Sequence, residues 1–263
     1  MKLGFIGLGN MATAMIGGIT AQGLVPAADI IGSNHGETKR KLVKEQFHIT
    51  IAEDNCSVAE QSDILVLSVK PQMYEMIIGE IKGSRKPGQI VVSIAPGKTL
   101  EWLSEQLGGA KVVRCMPNTP ALVGEGCTGV CKNEAVSDEE FEIVMKLLNG
   151  FGKAYAIEEK QMDAVVAVSG SSPAYVFVLI EAMADAAVAE GLPRAKAYEF
   201  AAQAVYGSAK MVLETGKHPG ELKDMVCSPA GTTIEAVAAL EERGFRSAVI
   251  EAMRICADKS RNM

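Results

Sequence analysis

The sequence predicts an α/β fold, a doubly wound sheet followed by an all-helical remainder. Three observations carry this expectation. Short runs rich in Val, Ile and Leu alternate with helical patterns over the first 158 residues, as βα units require. Strand signals then stop, and alanine-rich helical sequence takes over. The first strand runs directly into a cluster of glycines. The 263 residues therefore divide into two unequal parts, 1–158 and 159–263.

Residues 2–6, 29–33, 64–69, 89–94 and 111–115 read as strands, the later ones nearly unbroken in Val, Ile and Leu, which suits parallel strands covered on both faces. Residues 11–22, 37–47, 72–81 and 100–107 read as the crossover helices. Lys86-Pro87-Gly88 precedes one strand and Ala95-Pro96-Gly97 follows it. Ser137 with Glu140 forms a capping box at a helix start, and 153–157 is a last short strand ending the sheet. In the second part, Ser172-Pro173 reads as N-cap and first helical residue. The helix it opens, to about Glu190, is apolar nearly all round except for Glu181 and Asp185, so burial is expected, and because it is too apolar for the outside of a bundle of roughly 100 residues the expected cover is a partner chain. Gly191-Leu192-Pro193 ends it, a further helix runs from Arg194 to about Glu214, and two or three shorter helices follow from His218.

Composition narrows the function. A formal net charge of −6 opposes a nucleic-acid partner and an anionic membrane surface. Three histidines leave little for a His-rich metal centre, and none of the six cysteines forms a CxxC pair. Cys127 and Cys131 lie four apart in a strand-like stretch with no partners to complete a metal shell, so no metal is expected and the thiols read as free and buried. Residues 3–28 carry no charge, but Gly4, Gly7, Gly9, Gly17, Gly18 and Gly23 break the run. It therefore reads as a buried strand and helix rather than a leader or anchor. No other stretch was expected to reach the about 20 apolar residues of a membrane span, and a cytoplasmic location is expected.

The first strand leads into Gly7-Leu8-Gly9-Asn10-Met11-Ala12, a GxGxxA fingerprint before a helix, which makes the sheet Rossmann-type. Gly7 allows the tight turn, Gly9 lets backbone approach a pyrophosphate, and Ala12 permits close helix–strand packing. The helix N-terminus offers N–H groups and a positive dipole end to the phosphates. After the second strand, a carboxylate for the ribose 2′-OH is missing. Ser33, Asn34, His35 and Gly36 stand there with Lys39 and Arg40 beyond, favouring a 2′-phosphate and hence NADPH, with NADH also open. Alternatively, Lys39 and Arg40 are a solvated helix face.

A general acid for hydride transfer is hard to find. His35, His48 and His218 suit surface or cap roles. Lys70, in Val69-Lys70-Pro71 at a strand end, is better placed. Three other segments look chemically arranged: Met116-Pro117-Asn118-Thr119-Pro120, Ser169-Gly170-Ser171-Ser172-Pro173, and Cys227-Ser228-Pro229-Ala230-Gly231-Thr232-Thr233-Ile234. The last presents hydroxyls and N–H groups at a helix start, which serves a carboxylate as readily as it serves ordinary capping.

Together, the Gly7 to Ala12 loop, Val69-Lys70-Pro71, Ser93-Ile94-Ala95, the Met116 to Pro120 segment, 169–175 and 228–234 resemble the pyrroline-5-carboxylate reductase family, in family order over nearly the whole chain. Two departures are visible: the family usually has Gly where Ser172 and Ala230 stand. The resemblance implies reduction of 1-pyrroline-5-carboxylate to L-proline with NADPH or NADH, the last step of proline biosynthesis. A protonated imine is already electrophilic, which accounts for the missing acid. By position, Thr233 would partner the imine nitrogen. Ser228, Gly231 and Thr232 would hold the carboxylate, with Met225 and Glu159 at further substrate positions. Ser33, Asn34 and Asn55 fall near the adenosine ribose, and Val69, Lys70, Pro71, Ala95, Pro117 and Asn118 along the cofactor. The resemblance also implies a homodimer built through a helical dimerisation domain, and a larger ring of dimers. A β-hydroxyacid dehydrogenase shares the Gly-Phe-Ile-Gly-Leu-Gly-Asn-Met opening, but would place a catalytic Lys on a helix after the sheet, where Lys160 fits poorly. A non-catalytic NADPH-binding regulator is the third possibility.

Overall fold

Leu3 to Ile6 are all apolar or glycine and all buried, and they form β1 (Leu3–Ile6), the centre of the sheet. The computed structural model describes residues 1–262. After β1 come α1 (Asn10–Ala21), β2 (Ile30–Ser33), α2 (Glu37–Phe47), β3 (Thr50–Ile51), α3 (Asn55–Gln61), β4 (Ile64–Leu67), α4 (Tyr74–Ile81), β5 (Ile90–Ser93), α5 (Leu100–Gln106) and β6 (Lys111–Met116). β7 (Gly126–Lys132), α6 (Asp138–Leu148) and β8 (Gly152–Ala156) complete the sheet. Its order is β3-β2-β1-β4-β5-β6-β7-β8, as expected of a doubly wound fold. All neighbours pair in parallel except β6 and β7, which are antiparallel.

The chain leaves β1 in one direction toward β2 and returns to its other side as β4, with Ile6 opposite Leu67 in register. The carboxyl ends of β1 and β4 thus form a topological switch point, where open α/β sheets bind ligands. Apolar side chains fill both faces of the sheet. Phe5, Ile16 and Phe151 belong to one core, and Ile6, Leu67 and Tyr74 to the other. The uncharged opening run is the buried strand and helix expected of it, with Ala12, Met15, Ile16 and Ile19 of α1 turned inward.

Sequence patterns pass over β3 and α3 and give β7 only as a strand-like stretch around Cys127 and Cys131, each for a physical reason. β3 has two residues and α3 has seven, too short for a period to show. α3 depends on its cap, Asp54, which accepts a hydrogen bond from Ser57 N at 2.7 Å. β7 holds two glycines at close contacts, one its first residue and one in its middle: a Cβ on Gly126 would meet Phe151 O at 2.7 Å, and one on Gly129 would meet Val165 Cγ1 at 2.8 Å. The Ser137 capping box is present with both of its hydrogen bonds.

A turn of helix, α7 (Met162–Val165), passes into a π-helical turn over Val166–Gly170. Ser171 N donates to Val166 O at 2.8 Å, so the chain is already helical before Ser172. Ser172 is accordingly the first residue of α8 (Ser172–Ala189), not an N-cap as expected.

By contact density the chain separates into two units, one of residues 1–171 with the last turns of the C-terminal helix from Cys256, the other Ser172–Ile255. The second holds α8, α9 (Arg194–Thr215), α10 (Pro219–Val226), α11 (Thr232–Glu242) and most of α12 (Phe245–Arg261). Within one chain α8 is not covered: Ala184 is its one buried residue, while Phe177 and Val178 are 61% and 65% exposed. An all-round apolar helix requires cover, but one copy of this chain does not supply it. The expectation on membrane-length segments also needs correcting. The helical stretch Glu159–Ala189 contains an 18-residue window of mean hydropathy 1.6, of which 11% is buried, so it is long and apolar enough to cross a bilayer by length and composition alone.

Candidate active site

Gly7 sits where β1 turns into α1, with a φ of +95° that L side chains rarely adopt. A Cβ there would lie 2.8 Å from Ser68 O, and Ser68 Oγ itself donates to Gly7 O at 2.7 Å. Leu8 is buried, and its N–H donates to Asn34 Oδ1 at 3.0 Å, tying the loop to the end of β2. Gly9 is the N-cap of α1 and supplies no side-chain cap. The first-turn N–H groups of α1, which have no intrahelical acceptor, are left to a ligand. A Cβ on Gly9 would meet nothing within 4 Å, so its backbone faces open space. Asn10 and Met11 begin the helix, and Ala12 is fully buried against the sheet. An uncapped 12-residue helix behind an open glycine suits a pyrophosphate, so a dinucleotide fits the residues present.

Beside this loop lies a cavity of about 400 Å³. Ser33, Asn34, Asn55 and Glu80 supply its polar wall, and Val69, Met73, Met76 and Ile77 its apolar one. Ser33 Oγ donates to Asn55 Oδ1 at 2.6 Å, and Asn55 Nδ2 donates to Glu80 Oε2 at 2.8 Å. The structure thus brings together Ser33, Asn34, Asn55 and Val69, drawn from three separate strand ends. Lys39 and Arg40 are not among the lining residues. Met73, Met76, Ile77 and Glu80 went unnoticed in the sequence. They lie on the helical turns after Pro71, where an i, i+3, i+4 pattern reads equally well as core packing.

Further along the sheet, Lys70 is exposed and precedes a 3-10 turn opened by Pro71. Its carbonyl accepts from Met73 N at 2.9 Å, a backbone role. Ala95 is buried, and its N–H reaches Ser93 Oγ at 3.4 Å. Ser93 Oγ in turn donates to the hydroxyl of Tyr74, which donates to Leu67 O at 2.6 Å. Burial raises the Tyr74 pKa, so this phenol stays neutral and holds β4 to β5. Pro117 and Asn118 are buried at the end of β6. Asn118 Nδ2 donates to Ser169 O at 2.9 Å and Oδ1 accepts from Cys127 N at 2.8 Å, joining two of the segments that looked chemically arranged.

Glu159 is half-buried, and its Oε1 accepts from Arg114 Nη1 at 2.8 Å and from Leu100 N at 2.7 Å. Arg114 is only 6% exposed, so this carboxylate balances a buried guanidinium and also binds the first turn of α5. Nearby Cys131 is pushed up to about 12 by burial and, secondarily, by Glu159, so it persists as a neutral thiol. No group of His, Cys, Asp and Glu suited to a metal occurs among the described residues.

The remaining predicted residues belong to the second unit. Met225 lies on α10, 63% exposed. Ser228-Pro229-Ala230-Gly231 is a tight turn closed by Gly231 N donating to Ser228 O at 3.0 Å. Ala230 adopts φ +56°, the left-handed region, where the resembled family usually has Gly. Gly231 is the N-cap of α11 without a side-chain cap, and a Cβ there would strike Ser228 Oγ at 2.3 Å. The hydroxyls of Ser228, Thr232 and Thr233 thus gather at one uncapped helix start. None has a hydrogen-bond partner among the described residues.

Comparison with known proteins agrees with both halves of this description. Residues 159–263 match the family model for pyrroline-5-carboxylate reductase dimerisation, and residues 2–97 match that for NADP oxidoreductase, coenzyme F420-dependent. The chain is 53% identical to pyrroline-5-carboxylate reductase of Escherichia coli strain K12 over 263 residues, 100% of this chain and 98% of that one. It is 41% identical to the enzyme of that name from Methanosarcina acetivorans, over 100% of this chain and 97% of the other. A crystal structure of Plasmodium falciparum pyrroline carboxylate reductase with NADP bound superposes with a TM-score of 0.90 at 32% identity, covering 100% and 97% of the two chains. On these grounds the chain belongs to the pyrroline-5-carboxylate reductase family.

Proposed function

We propose that this chain is an NAD(P)H-dependent reductase that converts 1-pyrroline-5-carboxylate to L-proline in the cytoplasm, as the last step of proline biosynthesis. The observation that carries this reading is the 53% identity to the Escherichia coli reductase over the entire chain, which spans both the glycine loop and the Ser228 to Thr233 turn. When bound, the nicotinamide supplies a hydride to the imine carbon. The chain's own residues bind and orient. The loop from Gly7 to Ala12 takes the pyrophosphate on the N-terminus of α1; Ser33, Asn34 and Asn55 take the ribose end; and Val69, Lys70, Pro71, Ala95, Pro117 and Asn118 shape the path along the sheet.

Ser228, Gly231 and Thr232 hold the substrate carboxylate through two hydroxyls and the N–H groups at the start of α11, whose dipole favours an anion. Thr233, one position further, places its hydroxyl for the imine nitrogen and supplies or relays the proton that the nitrogen gains. Met225 closes the substrate site. Glu159 contributes through its hold on Arg114 and the first turn of α5. This division of labour follows the sequence-derived boundary, cofactor on 1–158 and substrate and dimerisation on 159–263.

The exposed α8 face and the dimerisation model over residues 159–263 support a homodimer, which covers that helix with a second copy; a ring of such dimers rests on the family resemblance alone. Oxidation of NADPH followed on addition of pyrroline-5-carboxylate tests the activity. Turnover with a hydroxy acid and its keto partner, but none with the imine, would overturn it. Light scattering tests the assembly, with a mass of at least twice 27.8 kDa expected.

A further inference from the structure

In the ribose cavity, Glu80 stands out because its carboxylate is attached to the predicted recognition residues themselves. It projects from α4 and lines the same space as Ser33 and Asn34 at the end of β2. Its Oε2 accepts from Asn55 Nδ2 at 2.8 Å, while Asn55 Oδ1 accepts from Ser33 Oγ at 2.6 Å. Cys56 Sγ, reaching Glu80 O at 3.4 Å, also ties its backbone to α3. Two of the donors available to a 2′-substituent, the Ser33 hydroxyl and one Asn55 amide hydrogen, are thereby committed within the chain, and a negative charge sits at the end of the relay. The lining includes two more carboxylates, Glu53 and Asp54, with His35 as its one basic side chain and no Lys or Arg. Asp54 is occupied as the N-cap of α3, and Glu53 makes no hydrogen bond or ion pair among the described residues. Dinucleotide sites that prefer NAD place a carboxylate at the ribose 2′-OH, where it accepts from the hydroxyl and repels a phosphate. That carboxylate is missing from the end of β2 here, and Glu80 reaches the same space from α4.

We propose that Glu80 is a determinant of cofactor choice, favouring a ribose 2′-OH and holding back the 2′-phosphate, so that it narrows the preference for NADPH over NADH. The inference rests on the reductase reading for the identity of the cavity as the adenosine-ribose site. Glu80→Gln keeps an acceptor for Asn55 and removes the charge, and Glu53→Gln removes a charge from the same cavity without touching Asn55. Dissociation constants for NADPH and NADH are measured by nicotinamide fluorescence on the full-length protein and on both variants. In Glu80→Gln, Kd for NADPH should fall at least fivefold relative to Kd for NADH. The gain should shrink between 50 mM and 500 mM salt as the charge is screened. Glu53→Gln should move the ratio less than twofold.

An unchanged ratio in Glu80→Gln overturns the proposal. So does an equal change in both constants, as a merely structural role would give, or an equal shift in Glu53→Gln. Glu80→Ala, which also releases Asn55, should shift the ratio in the same direction; an opposite shift overturns the proposal as well. Turnover of pyrroline-5-carboxylate by the unmodified protein, assayed separately, shows whether the reductase reading itself stands.

Discussion

Gly231→Ala offers a sharp test of the substrate turn, because the perturbation is confined to one hydroxyl. Gly231 has φ −83°, which alanine adopts without strain, so the backbone has no reason to change. The added Cβ would lie 2.3 Å from Ser228 Oγ and 3.1 Å from Ser228 O. Only the hydroxyl is free to move far, since the Gly231 N to Ser228 O hydrogen bond of 3.0 Å holds the turn. The expected result is rotation of the Ser228 hydroxyl away from the start of α11, with little loss of stability, since that hydroxyl has no partner within the described residues. A hydrogen bond to a charged group is worth about 1.5–3 kcal/mol, so kcat/KM for pyrroline-5-carboxylate should fall about 10- to 150-fold. Ser228→Ala removes the same contact and also the clash. The double variant should therefore match Ser228→Ala alone instead of losing the sum, about 3–6 kcal/mol, of the two single effects. Steady-state kinetics of the four proteins, with thermal melting as a control, decides it. Losses that add within about 0.5 kcal/mol would refute the reasoning.

Thr233→Ala should lower kcat/KM about 10- to 100-fold, a loss of about 1.4–2.7 kcal/mol, with the Kd for NADPH unchanged; unaltered kinetics would remove Thr233 from the mechanism. Gly18→Ala in α1 should destabilise by about 1–2 kcal/mol despite the higher helix propensity of alanine, because its Cβ would lie 2.6 Å from Gly150 O and 2.5 Å from Phe151 Cβ. Gly79→Ala in α4, where a Cβ meets nothing within 4 Å, should instead stabilise by up to about 1 kcal/mol, and denaturant unfolding of both reads the signs. Glu140 is held below its ordinary value by the Lys111 ammonium and the Ser137 N–H. A depressed folded-state pKa gives stability that is present above the unfolded-state value and is lost as pH falls. Glu140→Gln should therefore lower Tm at pH 7 and leave it nearly unchanged at pH 3, and an equal loss at both would sink that account.

The parts of the fold that were legible in sequence are those where one physical demand dominates. The β1, β4 and β5 runs must be apolar on both faces, and Ser137 with Glu140 must satisfy a helix start. Gly7, Ser33, Asn34 and Val69 could be placed at one end of the sheet because strand ends converge there, whereas Asn55 was placed only by the family resemblance. β7 showed only as a strand-like stretch around Cys127 and Cys131, without bounds, because its glycines answer to Phe151 and Val165, which are distant in sequence. Glu80 stayed hidden because a glutamate on an exposed helical turn has no local signature; only the fold brings it to Asn55. α8 was legible as a helix too apolar for the outside of so small a bundle, and it is exposed in one copy of the chain; composition records the need for cover and not the supplier.

Some of the residues that break local rules fall where ligands are expected, while His48, left-handed at φ +56°, merely closes α2. Helices α3, α5, α6 and α10 start at side-chain caps, Asp54, Thr99, Ser137 and His218. α1, α2 and α11 start instead at Gly9, Gly36 and Gly231, none with a side-chain cap. Glycine in place of a good cap costs only a few tenths of a kcal/mol, and it leaves the first N–H groups open to an anion. Ala230 is the costlier departure, since a left-handed alanine lies about 1–2 kcal/mol above its relaxed state. The turn that holds it is closed by the hydrogen bond from Gly231 N to Ser228 O at 3.0 Å. Strain held at one residue beside three hydroxyls argues from an observed outlier toward function, and it supports the proposal that the Ser228 to Thr233 turn, more than the glycine loop shared by many dinucleotide folds, binds the substrate.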